Sequence, residues 1–236
     1  MRYSWYRLVW SALDWLFPPT CGGCGQPGAR WCEICHQNVK LISSPCRLCG
    51  QTIELGELCS RCEAQPPSLC AIRSWAEFDG PIRQAWHRVK YRRDMALADA
   101  LAHPLSQMVR ALAWPIDLII PVPLSNKRMR ERGYNQADLL AKPLAWDLQI
   151  DHSSKVLLRD RDTRSQVGLT RVQRRDNVQN AFQALPERVF GKKILLVDDV
   201  ATSGSTLNAC ADALLQGGAN AVYGLTLARA VLSSKP

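Results

Sequence analysis

Asp198 and Asp199 stand side by side at the end of an apolar run, Ile194-Leu195-Leu196-Val197. Small residues follow them: Ala201, Thr202, Ser203, Gly204, Ser205 and Thr206. Two adjacent carboxylates accept hydrogen bonds from vicinal hydroxyls, directly or through a hard cation. By charge they repel a phosphate. The small loop supplies the opposite chemistry, because its backbone N–H groups can close on an anion and Gly204 permits a positive φ. The apolar pattern from Leu207 to Leu215 predicts a helix whose positive end faces that loop. The stretch therefore offers a sugar-phosphate site in outline. A buried strand running into a helix capped by Ser205 or Thr206 is the plainer alternative, but it has no need of the acidic pair.

Eight of the ten cysteines form four C-x-x-C pairs: Cys21/Cys24, Cys32/Cys35, Cys46/Cys49 and Cys59/Cys62. Each pair presents two thiolates to one metal ion, and a short hairpin brings round the next pair to complete a tetrahedron. All-cysteine ligation leaves no open position, so the expected role is structural zinc. Sequential pairing gives two ribbons, and crossed pairing is the alternative. Gly25 and Gly50 stand just after a pair, where a knuckle turn needs room. Cys70 and Cys210 fall outside the pattern and read as small buried residues. His36 is a competing ligand that the cysteine count does not require.

These groups need elements to hold them. The unbroken apolar run before Asp198 suits a parallel strand covered on both faces, and in such sheets ligands bind beyond the carboxyl ends of the strands. Ile116 to Pro121 predicts a second buried strand. It leads into a loop with Lys127, Arg128, Arg130 and Arg132, where Arg128 and Arg130 suit a pyrophosphate because guanidinium binds it bidentately. A helix is expected from about Asn135, distorted by Pro143. Lys155 to Arg159 predicts a further strand. The long, polar, basic stretch 160–178 then reads as a lid over bound phosphates, with Arg159, Arg164, Arg171 and Arg175 as its candidate cations. Earlier in the chain, Cys70 to Phe78 predicts a strand, and 81–90 and 94–112 predict helices. The run Arg88, Lys90, Arg92, Arg93, with Trp86 and Tyr91, reads as a solvated face or as a stacking and charge surface for a single strand of nucleic acid.

The chain has 236 residues, 47% of them hydrophobic, and a net charge of +9, which favours anionic partners. Three units are expected: an amphipathic helix over 1–18 that Pro18-Pro19 stops, a double ribbon over 19–66, and a larger domain over 67–236. No run approaches the ~20 apolar residues of a membrane span. The N-terminal segment has no small-residue cleavage site and carries Asp14, which argues against a signal peptide.

Together these motifs resemble one family. The stretch Val197-Asp198-Asp199-Val200-Ala201-Thr202-Ser203-Gly204-Ser205-Thr206 resembles the phosphoribosyl pyrophosphate (PRPP) loop of type I phosphoribosyltransferases. The cysteine ribbons, Pro121-Val122-Pro123, the segment from Arg128 to Gln136, and Gln166-Val167-Gly168-Leu169-Thr170-Arg171 are similar, as a set, to the ComF/GntX family. The resemblance implies an α/β fold, a type I phosphoribosyltransferase-like parallel sheet flanked by helices, with an N-terminal zinc ribbon module. It implies PRPP or another ribose phosphate on Asp198, Asp199 and Ala201 to Thr206, and Mg²⁺ accompanying PRPP. It also implies single-stranded DNA and DNA-uptake machinery as partners, on the cytoplasmic side or peripheral to the membrane. In the family the fold serves DNA uptake or the use of DNA as a nutrient. The alternative is an active transferase moving ribosyl 5-phosphate to a base or amine with release of pyrophosphate. No acceptor pocket is identifiable, and no catalytic residue is assigned.

Overall fold

The computed structural model describes residues 18–159 and 181–230. The N-terminal helix and most of the expected lid, including Arg164, Arg171 and Arg175, lie outside the described residues. The chain builds α1 (Glu33–Gln37), α2 (Ser60–Ala64), β1 (Ala71–Glu77), α3 (Gly80–Arg92), α4 (Met95–Leu112), β2 (Leu118–Pro121) and α5 (Asn126–Arg132). It continues with α6 (Gln136–Leu148), β3 (Asp151–His152), β4 (Leu157–Arg159), β5 (Phe182–Ala184), α7 (Pro186–Val189), β6 (Lys193–Ala201), α8 (Ser205–Gln216) and β7 (Ala221–Arg229).

Five strands form one sheet in the order β1-β7-β6-β2-β3, and all its pairs are parallel. Strand β6 shows why its sequence runs apolar without alternation. Ile194 and Leu196 face one core with Leu207, Cys210 and Leu214 of α8. Leu195 and Val197 face the other with Trp86, Leu97, Leu101, Leu140 and Leu144 of α3, α4 and α6. Helices on both faces of a parallel sheet make an α/β three-layer arrangement. β4 and β5 form a separate antiparallel pair.

Pro104 lies inside α4 and Pro143 inside α6, which runs on to Leu148, and both prolines are buried. The basic segment after β2 is not a loop. Ser125 caps α5 by accepting from the Arg128 N–H at 3.3 Å, and Gly133 closes it at φ 81°. Cys70 is exposed, contrary to the sequence expectation, whereas Cys210 is buried in the core under β6.

β1 lies at a sheet edge, and the chain between the two cysteine sets covers it. The Leu41↔Ala76 bridge is antiparallel, and Glu77 N–H donates to Lys40 O at 2.8 Å. The edge N–H and C=O groups thereby find partners.

Candidate ribose-phosphate site and zinc ribbons

The carboxyl ends of β2 and β6 are neighbours, with Pro121 opposite Val197. This register brings the two sequence-predicted segments together over one cavity of about 570 Å³. Asp198, Asp199 and Ala201 line it, as do Thr202, Gly204, Ser205 and Thr206. Arg128 lines it from α5, whereas Arg130 does not. Ser203 instead lines a smaller cleft behind the loop. Arg132, Arg159 and Lys90 add cationic walls, and Glu131 is an acidic exception. Arg159 also stacks on the Phe182 ring at 5.4 Å.

The acidic pair sits inside β6 rather than after it. Asp199 N–H donates to Asp198 Oδ1 at 2.8 Å, and Val200 N–H to Asp199 Oδ1 at 2.7 Å. The two carboxylates nevertheless have different surroundings. Asp199 Oδ2 accepts from Trp86 Nε1 at 2.8 Å and pairs with Lys90 Nζ at 2.5 Å. Burial opposes its charge, but the Lys90 ammonium and the Trp86 donor hold the Asp199 carboxyl below its ordinary range. Among the described residues, Asp198 has no such cation of its own. Burial first, and then the neighbouring Asp199 charge, push its carboxyl well above the usual range. The two neighbours are thus pushed in opposite directions, Asp199 toward its charged form and Asp198 toward its neutral form. A diol, or a cation carried in with one, would bring Asp198 into the ionised form.

The loop after β6 turns at Gly204, which takes φ 77° and caps α8. Neither Ser205 nor Thr206 is the N-cap. Ser203 and Ser205 hydroxyls lie 2.8 Å apart. The first turn of the twelve-residue α8 brings its positive dipole end to the cavity edge, with the Ser205 N–H taken up by Ser203 Oγ at 3.3 Å.

The cysteines assemble by sequential pairing. Cys21, Cys24, Cys32 and Cys35 form one group and Cys46, Cys49, Cys59 and Cys62 another, with all sulfurs of a group within 4.8 Å of one another. The Cys24–Cys32 and Cys49–Cys59 sulfurs are both 3.7 Å apart. That matches the ~3.8 Å edge of a tetrahedron built on ~2.3 Å Zn–S bonds and is far beyond a disulfide. Burial disfavours the thiolate of Cys21, but N–H groups of Cys24, Cys32 and Gly23 bring it down to about 6. Cys46 is likewise about 6, through N–H groups of Cys49, Cys59 and Leu48 acting against burial. In the same groups burial pushes the Cys35, Cys49 and Cys62 thiols up, so the fit to zinc rests on four convergent sulfurs at tetrahedral spacing in each group. His36 belongs to neither group. It lies against the Trp75 ring at 5.6 Å and accepts from Trp31 Nε1 at 3.4 Å.

Both halves of this arrangement match described families. A double zinc ribbon domain matches residues 12–63, and a phosphoribosyl transferase domain matches residues 91–232. A protein from Salmonella typhi, "DNA utilization protein YhgH", is 36% identical over 222 residues, which is 90% of this chain and 97% of the relative. The chain belongs to the ComF/GntX family. A second relative of this ComF chain is "Competence protein F" of Haemophilus influenzae, 34% identical over 84% of this chain and 90% of its own. Among solved structures, the glutamine PRPP amidotransferase of B. subtilis is similar at TM-score 0.40 and 20% identity. It covers 56% of the ComF chain, which spans about a quarter (26%) of that protein.

The sequence placed Trp86 and Lys90 on a solvated or nucleic-acid-binding face, whereas Trp86 is fully buried and both side chains meet Asp199. Arg61 and Arg229 are contacts of the loop that the sequence did not single out. Trp86 and Lys90 lie four apart and so share a helix face, a signal that was available. Arg229 is the lone charge ending an apolar strand, Ala221 to Ala228. Arg61 gave no signal, since it sits between two cysteines of a ribbon.

Proposed function

We propose that the chain handles single-stranded DNA along α3 while reading a ribose 5-phosphate, with PRPP the preferred form, in the cavity behind that helix. The observation that carries the reading is the way α3 sorts its side chains. Trp86 and Lys90 turn inward onto Asp199. Arg88 is taken up by Asp94 at 2.7 Å and by Cys21 O at 2.9 Å. Arg83, His87, Tyr91 and Arg92 remain on the outer face, all exposed. They line an open groove of about 830 Å³ against the Gly22–Gly25 knuckle of the first ribbon. Tyr91 is 70% exposed, with its ring edge-on to His87 at 5.5 Å. Exposed rings interleaved with guanidiniums suit stacked bases and a phosphate backbone. The names carried by the relatives, DNA utilization and competence, agree with a DNA substrate.

On this reading, Asp198 and Asp199 take the ribose hydroxyls, and Thr202 to Thr206 the 5-phosphate. Arg128 and Arg159 face a pyrophosphate, joined by Arg164 and Arg171 of the expected lid. The acidic pair would hold the Mg²⁺ that accompanies PRPP, which supplies charge neutralisation. No helix among the described residues is long and apolar enough to cross a membrane. We place the protein on the cytoplasmic side of the DNA-uptake machinery, in solution or peripheral to the membrane.

Fluorescence anisotropy of a labelled oligo-dT tests the DNA part. Binding should weaken steeply with salt, and Arg83→Glu with Arg92→Glu should flatten the salt slope by ~0.7 for each phosphate that the variant no longer neutralises. Tyr91→Ala should cost ~1–3 kcal/mol at any salt concentration. Unchanged affinity in both variants would remove α3 as the DNA face.

A second reading, the active transferase, rests on the cationic walls of Arg128, Arg132 and Arg159 facing the acidic pair across the cavity. There the chain's own contribution would be to position a ribosyl 5-phosphate and stabilise developing charge. Pyrophosphate release with any base or amine would establish that reading.

A further inference from the structure

The second ribbon is fastened to the backbone of the phosphate loop by two arginines. Arg229, at the end of β7, is 4% exposed. Its Nη1 donates to Thr202 O at 3.1 Å, and its Nη2 donates to the carbonyl oxygen of Cys49, a member of the second four-cysteine group. Arg61 lies between Cys59 and Cys62 of the same group, and its Nη1 donates to Ser203 O at 2.9 Å. Two successive carbonyls of the loop are thus each held from the ribbon side. In a trans peptide the C=O and the following N–H point in opposite directions. Holding Thr202 O and Ser203 O toward the ribbon therefore turns the N–H groups of Ser203 and Gly204 away from it. The loop is set with its donors forward.

The first ribbon is attached elsewhere. Cys21 O accepts from Arg88 of α3. A Cβ at Gly22 would meet Leu97 of α4 at 2.3 Å. These contacts run to α3 and α4. The two zinc sites therefore differ in what they touch.

We propose that Arg61 and Arg229 are positioning residues that couple the second zinc site to the ribose-phosphate loop. Zinc on Cys46, Cys49, Cys59 and Cys62 keeps the loop in its anion-accepting shape, and by thermodynamic reciprocity a ligand on the loop retains that zinc. The proposal rests on the ribose-phosphate reading of the cavity.

The test measures, at equilibrium, how zinc partitions between the full-length, zinc-loaded protein and a chromogenic chelator, with and without saturating ribose 5-phosphate. One of the two zinc ions should be held about fivefold or more tightly in the presence of the sugar phosphate, while the affinity for the other is unchanged. Arg229→Met with Arg61→Gln should erase that tightening and weaken ribose 5-phosphate binding in calorimetry, with two zinc ions still bound at rest. If the double variant fails to fold, Arg61→Gln alone should reduce the tightening without changing the melting temperature. Ribose 5-phosphate that binds but tightens neither ion, or both equally, would overturn the coupling. If the wild-type protein does not bind ribose 5-phosphate in calorimetry, the reading of the cavity fails as well. Calorimetry therefore separates the two failures.

Discussion

Asp198 and Asp199 are neighbours with opposite electrostatics. Asp199 is held ionised by Lys90 and Trp86, and Asp198 is pushed toward its neutral form by burial and by Asp199. The signs give a stability prediction. A carboxyl whose folded pKa is raised binds its proton more tightly when folded, so its contribution falls as pH rises above the unfolded carboxylate range. Asp198→Asn should therefore raise the melting temperature of the protein, with a gain that grows as pH rises above the unfolded carboxylate range, while abolishing ribose 5-phosphate binding. Asp199 has the opposite sign. Its contribution is present above the unfolded pKa and lost as pH falls through the lower folded value. Asp199→Asn should destabilise at neutral pH by ~1–3 kcal/mol, because it leaves the half-buried Lys90 ammonium without its anionic partner. Thermal melts across pH for the two single variants measure both effects. Equal shifts of the same sign would contradict the asymmetry.

At the scale of elements, much of the candidate site was legible because its motif is local. β6, the acidic pair, the loop and α8 are consecutive in the chain, and one apolar run followed by small residues encodes them. The helical span of α3 was also legible, but its division of labour was not. Trp86 meets Asp199 across 113 positions, and Arg229 meets Cys49 across 180. Only the sheet order brings such partners together. The segment after β2 read as a loop because its charges hide any apolar period; the Ser125 and Gly133 caps make it α5, none of whose residues is buried. The two knuckle glycines make an internal comparison. Gly25 takes φ 79° with nothing within 4 Å of a would-be Cβ, whereas Gly50 takes φ 70° with Ile72 O at 2.4 Å. Gly25→Ala should cost ~1 kcal/mol, from backbone strain alone. Gly50→Ala should cost clearly more, because it also wedges the second ribbon off β1. Urea denaturation of the two variants compares them, and equal losses would argue against the docking.

At the scale of the molecule, each ribbon has its own seat on the α/β domain. The first leans on α3 and α4, and the second on β1 and the phosphate loop. Too few apolar residues are buried in the ribbons for them to fold on their own: among the described residues, the second closes around Cys46, Cys49, Cys59 and Cys62 with Leu48, Ile53 and Leu58 packed beside them. Zinc must supply the difference. Chelation should therefore unfold the ribbons and uncover β1's edge, which Lys40 to Ile42 protect. The expected outcome is aggregation of the metal-free protein at temperatures where the zinc-loaded protein stays monodisperse, followed by light scattering. A metal-free protein as stable and soluble as the loaded one would contradict a structural role.

The most direct measurement is calorimetric titration of the zinc-loaded chain with PRPP and Mg²⁺, beside the Asp198→Asn and Asp199→Asn double variant. We expect saturable binding to the wild-type chain and none to the double variant, with two zinc ions per chain in both. An unchanged affinity in the double variant, its zinc intact, would contradict the assignment of the acidic pair to the ribose.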